Sequence, residues 1–173
     1  MHDRVESVEI RALRAGEIAT LSALAGEIWR AHYPGIISAA QIEYMLDERY
    51  SAAVLREELQ RDDVWWDVLL LDGIMTGYTS YFWADARDTI KIDKLYIHPR
   101  VHRQGYGRHL IDHVAQRMTG QGCKRLTLAV NRRNQSAIVA YQRHGFHIAE
   151  TSVRQIGGGF LMDDYIMVKT VNG

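Results

Sequence analysis

Tyr96-Ile97-His98-Pro99-Arg100-Val101-His102-Arg103-Gln104-Gly105-Tyr106-Gly107-Arg108 is the stretch on which the reading of this 173-residue chain turns. The β-branched run Ile90–Ile97 that leads into it predicts a strand, stopped by Pro99, which has no N–H to give to a ladder. Beyond it, Leu110, Ile111, Val114, Ala115 and Met118 recur at helical spacing as far as Gly120, a suitable C-terminal stop. From His98 to Arg108 there are three arginines, two histidines and no acid. A helix start already favours an anion through its free N–H groups and its dipole. Gly105 and Gly107 let the chain turn tightly and bring amides to phosphate oxygens that a Cβ would obstruct. The stretch is therefore expected to hold a phosphate, a glycine-rich turn beside a solvated helix start being the plainer alternative.

Two familiar phosphate loops do not fit. A nucleotide P-loop needs Gly-Lys followed by Ser or Thr, which is absent here, and a dinucleotide fingerprint would place its third glycine where Leu110 stands.

Working outward, Val5–Leu13 alternates loosely as a first strand, and Ile18, Leu21, Leu24, Ala25 and Ile28 form a helical stripe that should end near His32–Pro34. Ser38-Ala39-Ala40-Gln41 has the form of a capping box before Ile42, Met45 and Leu46, and Ser51 opens a short third helix through Val54, Leu55 and Leu59. Trp65–Leu71 and Ile74–Trp83 read as a hairpin around Asp72-Gly73. Leu126–Val130 is a short strand, Asn134 can cap a helix ending at Gly145, and Phe146–Val153 and Phe160–Lys169 complete the strands. No repeat or linker interrupts this order, so residues 5–170 are expected to form a single mixed α/β domain.

Composition narrows the partners. Lys plus Arg (21) equals Asp plus Glu (21), so no net field draws the chain to nucleic acid or an anionic membrane, and any anion site is local. Met1–Glu9 lacks the apolar core of a leader, and about 18 consecutive apolar residues occur nowhere. The single cysteine, Cys123, has no partner for an intramolecular disulfide and is expected to be packing, which suits a cytoplasmic protein.

The quoted stretch resembles the hallmark of the GNAT superfamily of N-acetyltransferases, in which Gln or Arg, two residues, Gly, one residue, then Gly or Ala lie between the fourth strand and third helix. Gly105-Tyr106-Gly107 fits the second half, while His102 stands where Gln or Arg is usual; a ring can still donate, with a charge that depends on pH. Asn134, Ala137, Tyr141 and Gly145-Phe146 resemble the family's Asn-x-x-Ala-x-x-x-Tyr-x-x-x-Gly-Phe segment, so the likeness covers Ile90–Phe146 specifically. The resemblance implies a mostly antiparallel, twisted sheet of about seven strands with helices on both faces. It also implies acetyl-coenzyme A, with His102, Arg103, Gln104, Gly105, Tyr106, Gly107 and Arg108 around the pyrophosphate, and a strand at Leu95, Tyr96 and Ile97 bent away from its neighbour to admit the pantetheine arm.

An alkylammonium is neutral in only about one molecule in a thousand at pH 7, a deficit of roughly 4–5 kcal/mol, so some group must take a proton. Asp93 is the candidate base if burial raises it; pairing with Lys91 or Lys94 is the alternative. Backbone N–H groups of Leu95, Tyr96 and Ile97 can stabilise the charge that grows on the thioester oxygen. By resemblance Tyr141 donates a proton to the leaving thiolate, uphill by roughly 2 kcal/mol unless the ammonium proton follows, with packing or cofactor contact as the alternative. Asn134 is read equally as a cofactor contact and a helix cap. Trp29, His32 and Tyr33 are candidates for an amine pocket or for helix packing, and Asp163, in the glycine-rich tail with Asp164, for attracting a cation or for a surface turn. His109 and His113 share the i, i+4 spacing of metal ligands but lack a third ligand, so a solvated face and no metal are expected. The expected activity is acetyl transfer to the primary amine of a small molecule, polyamine-like given Asp93, Asp163 and Asp164, without an acyl-enzyme, in a monomer or homodimer. A peptide N-terminus is the second acceptor class, and a non-catalytic acyl-coenzyme A sensor is the alternative to an enzyme.

Overall fold

A computed structural model of the chain describes residues 5–172; the first four residues of the stretch read for a leader lie outside the described residues. In chain order the elements are β1 (Val8–Ala12), α1 (Ile18–His32), α2 (Ala39–Tyr50), α3 (Ala52–Gln60), β2 (Val64–Leu71), β3 (Ile74–Trp83), β4 (Thr89–Ile97), α4 (Tyr106–Thr119), β5 (Arg125–Asn131), α5 (Gln135–Arg143), β6 (His147–Gly157) and β7 (Phe160–Thr170). Local chemistry accounts for several boundaries. Ser38 caps α2 by accepting from the Gln41 amide at 3.1 Å, and Ser51 caps α3 by accepting from Val54. The reciprocal half of the expected capping box does not form, because the Gln41 amide group donates across the cleft to the Leu161 carbonyl at 2.9 Å. Asp72 and Gly73 have φ of 49° and 79°, the pair of positive values that a two-residue primed turn requires between β2 and β3.

The seven strands form one sheet in the order β1-β2-β3-β4-β5-β7-β6, antiparallel throughout except for β4 beside β5. Both faces are covered, and β2 shows how: Trp66, Val68 and Leu70 pack with α1, α2 and α3, whereas Leu69 and Leu71 pack with Tyr106 and Leu110 of α4 on the opposite face. Its near-continuous apolar sequence is the consequence of that double burial.

Two features position the site. The parallel pairing of β4 with β5 runs only from Thr89↔Arg125 to Ile92↔Leu128; thereafter β4 stays with β3 to Ile97↔Gly77 and β5 stays with β7 to Asn131↔Asp164, so the two part as a V. At the point of parting, β4 carries one residue more than β3: Ser80 pairs with Lys94 and Tyr81 with Ile92, leaving Asp93 as a bulge that bends the strand. The other feature is the β6–β7 hairpin, whose Gly157, Gly158 and Gly159 all have positive φ and whose backbone passes against Tyr44. The Tyr44 hydroxyl donates to the Ile156 carbonyl at 2.9 Å, tying α2 to the hairpin.

Leu110, wholly buried beneath α4, should cost about 2–5 kcal/mol when replaced by Ala. Urea unfolding should show this, with Ile74→Ala, at a residue 64% exposed, staying within about 0.5 kcal/mol of the parent.

Candidate functional site

The V between β4 and β5 opens into a cleft of about 1700 Å³, lined by Leu95, Tyr96 and Ile97, by the loop into α4, by Asn134 and Tyr141, and on its far side by α1, α2 and the β6–β7 hairpin. Beyond Ile92 the β5-facing backbone edge of β4 has no strand partner, which leaves its N–H and C=O groups to whatever enters.

The loop aims the start of α4 into this cleft. Arg103 (φ 65°) and Gly105 (φ 85°) both take left-handed backbone, and the first helical bond is His109 N–H to the Gly105 carbonyl at 3.1 Å. The amides of Tyr106, Gly107 and Arg108 thus precede the helical ladder, the arrangement that binds anions. A Cβ at Gly105 or at Gly107 would meet no protein atom within 4 Å. For Gly105 the backbone explains the glycine. Gly107 has neither a positive φ nor a crowded neighbour, so nothing within the protein requires it, and it faces the cleft.

Arg103 and Arg108 line the cleft, whereas Gln104 does not. The Tyr106 side chain turns away, its hydroxyl donating to Glu6 at 2.6 Å, so only its amide serves the loop. The His102 ring does donate, but within the protein: Nε2 lies 2.7 Å from the Ile97 carbonyl, which can only accept, so Nε2 carries the hydrogen and Nδ1 of the neutral ring is left as an acceptor, with no hydrogen for a phosphate.

Asn134 does not cap α5. Its Oδ1 instead meets His32 Nε2 at 3.1 Å and the Ser136 hydroxyl at 3.4 Å, a 102-residue separation joining two residues chosen from the sequence for different reasons. Burial lowers the His32 ring below its usual range, which favours the neutral form. Trp29 and Tyr33 are buried and line the cleft, with the Tyr33 and Tyr96 hydroxyls 2.9 Å apart. Tyr141 lines it too; burial holds its phenol well above the ordinary range, and its hydroxyl has no hydrogen-bond partner among the described residues.

The acids rearrange most. Asp93 was expected to be raised by burial into a base. Burial does push it up, but Arg49 and Lys94 outweigh that and hold it below the usual carboxylate range. Lys94 Nζ is 2.6 Å and Arg49 3.1 Å from the same Oδ2. Neighbours in a regular strand point to opposite faces; the bulge is what lets Asp93 and Lys94 meet. Asp163 turns outward, 53% exposed and 3.5 Å from Arg132, and is absent from the cleft wall. By strand alternation its neighbour Asp164 turns inward: it lines the cleft, is 3% exposed, and receives no hydrogen bond from any described side chain or amide. Burial raises its carboxyl above the ordinary range.

His113 is not on a solvated face. Its Nε2 lies 3.0 Å from the buried Asp67, which also accepts from Tyr81 at 2.6 Å, on the side of the sheet covered by α4. Among the described residues no group of three His, Cys, Asp or Glu is placed to hold a metal. Arg49 is a cleft residue that the sequence did not single out, because it sits at the end of an ordinary amphipathic helix; Asp164, expected only as one member of an acidic cluster, differs from Asp163 by the parity of one strand position.

Comparison with known proteins agrees with this geometry. The model of the family described as Acetyltransferase (GNAT) family matches residues 25–146. A spermidine N(1)-acetyltransferase of Thermoplasma acidophilum is 28% identical over 161 residues, covering 91% of this chain and 96% of that protein. An uncharacterized N-acetyltransferase of Mycobacterium bovis is 29% identical over 159 residues, covering 91% and 92%. The crystal structure of the PaiA N-acetyltransferase of Thermoplasma acidophilum in complex with coenzyme A superposes with a TM-score of 0.84 at 27% identity, covering 95% of this chain and 99% of that one.

Gly107→Ala separates a ligand role from a structural one. A helical Gly→Ala change favours the helix by up to about 1 kcal/mol, so the urea midpoint should hold or rise, while calorimetry should show coenzyme A binding weakened by about tenfold, or about 1.4 kcal/mol. A lowered midpoint would make Gly107 a packing residue.

Proposed function

We propose an acceptor and a division of labour for this chain from the premise that it belongs to the GNAT acetyltransferase family and is an N-acetyltransferase that draws its acetyl group from acetyl-coenzyme A. The acceptor is the primary amine of a small molecule, attacked directly without an acyl-enzyme. The observation that carries the cofactor half is the space beside Gly107 at the free amides of α4. There the amides of Tyr106, Gly107 and Arg108, with the Arg103 and Arg108 side chains, hold the pyrophosphate, and the open edge of β4 receives the pantetheine arm. Acetyl-coenzyme A supplies an activated thioester at that edge.

The remaining chemistry belongs to the protein. Backbone N–H groups at Leu95–Ile97 donate to the thioester oxygen as charge develops on it. Tyr141 gives its proton to the departing sulfur and recovers one from the nitrogen; burial holds the phenol above its usual range, which keeps it protonated but makes the donation more uphill, so the nitrogen's proton must follow in the same step. Trp29 and Tyr33 wall the acceptor side, and the His32–Asn134 contact joins that wall to α5.

A small acceptor is favoured over a peptide because α2 is tied to the β6–β7 hairpin twice, by Tyr44 to Ile156 and by Gln41 to Leu161, which closes that flank of the cleft. The polyamine-like reading draws support from the spermidine-acetylating relative. The expected acidic cluster contributes less, since Asp93 and Asp163 are each paired with a cation.

Thiol release from acetyl-coenzyme A, measured across polyamines, amino acids, aminoglycosides and short peptides, is expected to rise with small primary amines above all. Cofactor binding without amine-dependent release for any acceptor would favour the sensor instead. Tyr141→Phe should lower the turnover number by about 10²-fold or more while changing coenzyme A affinity little; equal turnover in the two proteins removes the donor role.

A further inference from the structure

Asp164 is a carboxylate that the fold withdraws from bulk solvent, opens to the cleft and leaves without a partner among the described residues. It is 3% exposed as a residue, lines the cleft and accepts from no described donor, while its carboxyl oxygens stay open to the cleft, where a cation can reach them. Every other buried or half-buried acid on the cleft wall is satisfied, Asp93 by Arg49 and Lys94, and Glu58 by the Trp66 indole N–H at 2.8 Å. The register fixes its place: Asp164 pairs with Asn131, the last residue of β5, on the wall of the V opposite the free edge of β4.

Resting on the acetyl-transfer reading above, we infer that Asp164 is the residue that receives the acceptor's ammonium and takes its first proton. The step balances as follows. The ammonium gives one proton to the Asp164 carboxylate, which passes it to water. The nitrogen lone pair then forms the C–N bond, the C–S bond breaks, and the nitrogen's second excess proton replaces the one that Tyr141 delivers to sulfur. The products are the amide, the free thiol and one released proton. Burial, which raises the carboxyl, also makes it a better base than an exposed aspartate.

The pH dependence has a definite sign. A raised carboxyl is charged above its own pKa, so amine binding and proton removal are lost as pH falls through a value above the ordinary aspartate range. The charged and titratable groups that act on it most are Arg154 from β6, the adjacent Asp163, Arg49 from α2 and Lys91 from β4, with Tyr33 from α1 also facing it.

The test uses the purified full chain, the best acceptor from the amine screen, and initial thiol-release rates against pH, with coenzyme A affinity from calorimetry. Asp164→Asn is expected to lower kcat/KM for the amine by about 10²-fold or more, to remove the acidic limb of its pH profile, and to leave coenzyme A affinity unchanged. Asp164→Glu, which keeps a carboxylate, should retain the limb and part of the rate, and it decides the matter if the Asn variant fails to fold. Wild-type turnover with an unaltered rate and limb in Asp164→Asn overturns this assignment alone and passes the limb to another group such as His32. Absence of amine-dependent release in the wild type overturns the acetyl-transfer reading itself.

Discussion

The structure depends on where β4 and β5 let go of each other. A parallel pair that continued past Ile92↔Leu128 would consume the backbone groups of both strands and leave no cleft. The parting coincides with the bulge at Asp93, and each strand remains bound to its other neighbour, so the open edges are held rigidly rather than frayed. A sheet interior is an expensive place to leave amides unpaired, which is why such an edge is read as reserved for a ligand's polar chain.

The same bulge organises the charges. By turning Asp93 and Lys94 to one side it builds an ion cluster with Arg49 from the end of α2, in the wall of the cleft. Lys94, 3% exposed in its side chain, also lies 4.9 Å from the Trp66 ring. Isolated, either charge would be strongly unfavourable there; together they anchor α2 against the bent strand. The carboxylate most visible on the strand is thereby committed to structure, and the uncommitted one lies across the V on β7.

The end of the cleft proposed for the cofactor follows a different principle. There the protein contributes chiefly main chain: free amides at a helix start, oriented by two residues in left-handed backbone, with side-chain bulk withheld at Gly107. His102 in place of the usual Gln or Arg fits that proposal, because its Nε2 is spent on the Ile97 carbonyl and the amides and arginines are left to meet the pyrophosphate.

Short-range rules carried the local reading of this protein. The primed turn at Asp72-Gly73, the serine caps, the Pro99 stop and the glycine loop before an amphipathic stripe are all set by residues within a few positions of one another, and each lies where its own chemistry places it. The family motif added Tyr141 and Asn134 to the loop. What sequence could not assign were pairings over long separations and the parity of single strand positions. A bulge opposite Tyr81 decided that Asp93 is an ion-pair partner, a 102-residue contact turned Asn134 from capping to His32, and one step of strand alternation sent Asp163 outward and Asp164 into the cleft. Local propensity is fixed by neighbours in the chain, whereas the burial and pairing of a charge depend on which distant strands and helices arrive beside it, and only the folded chain brings those together.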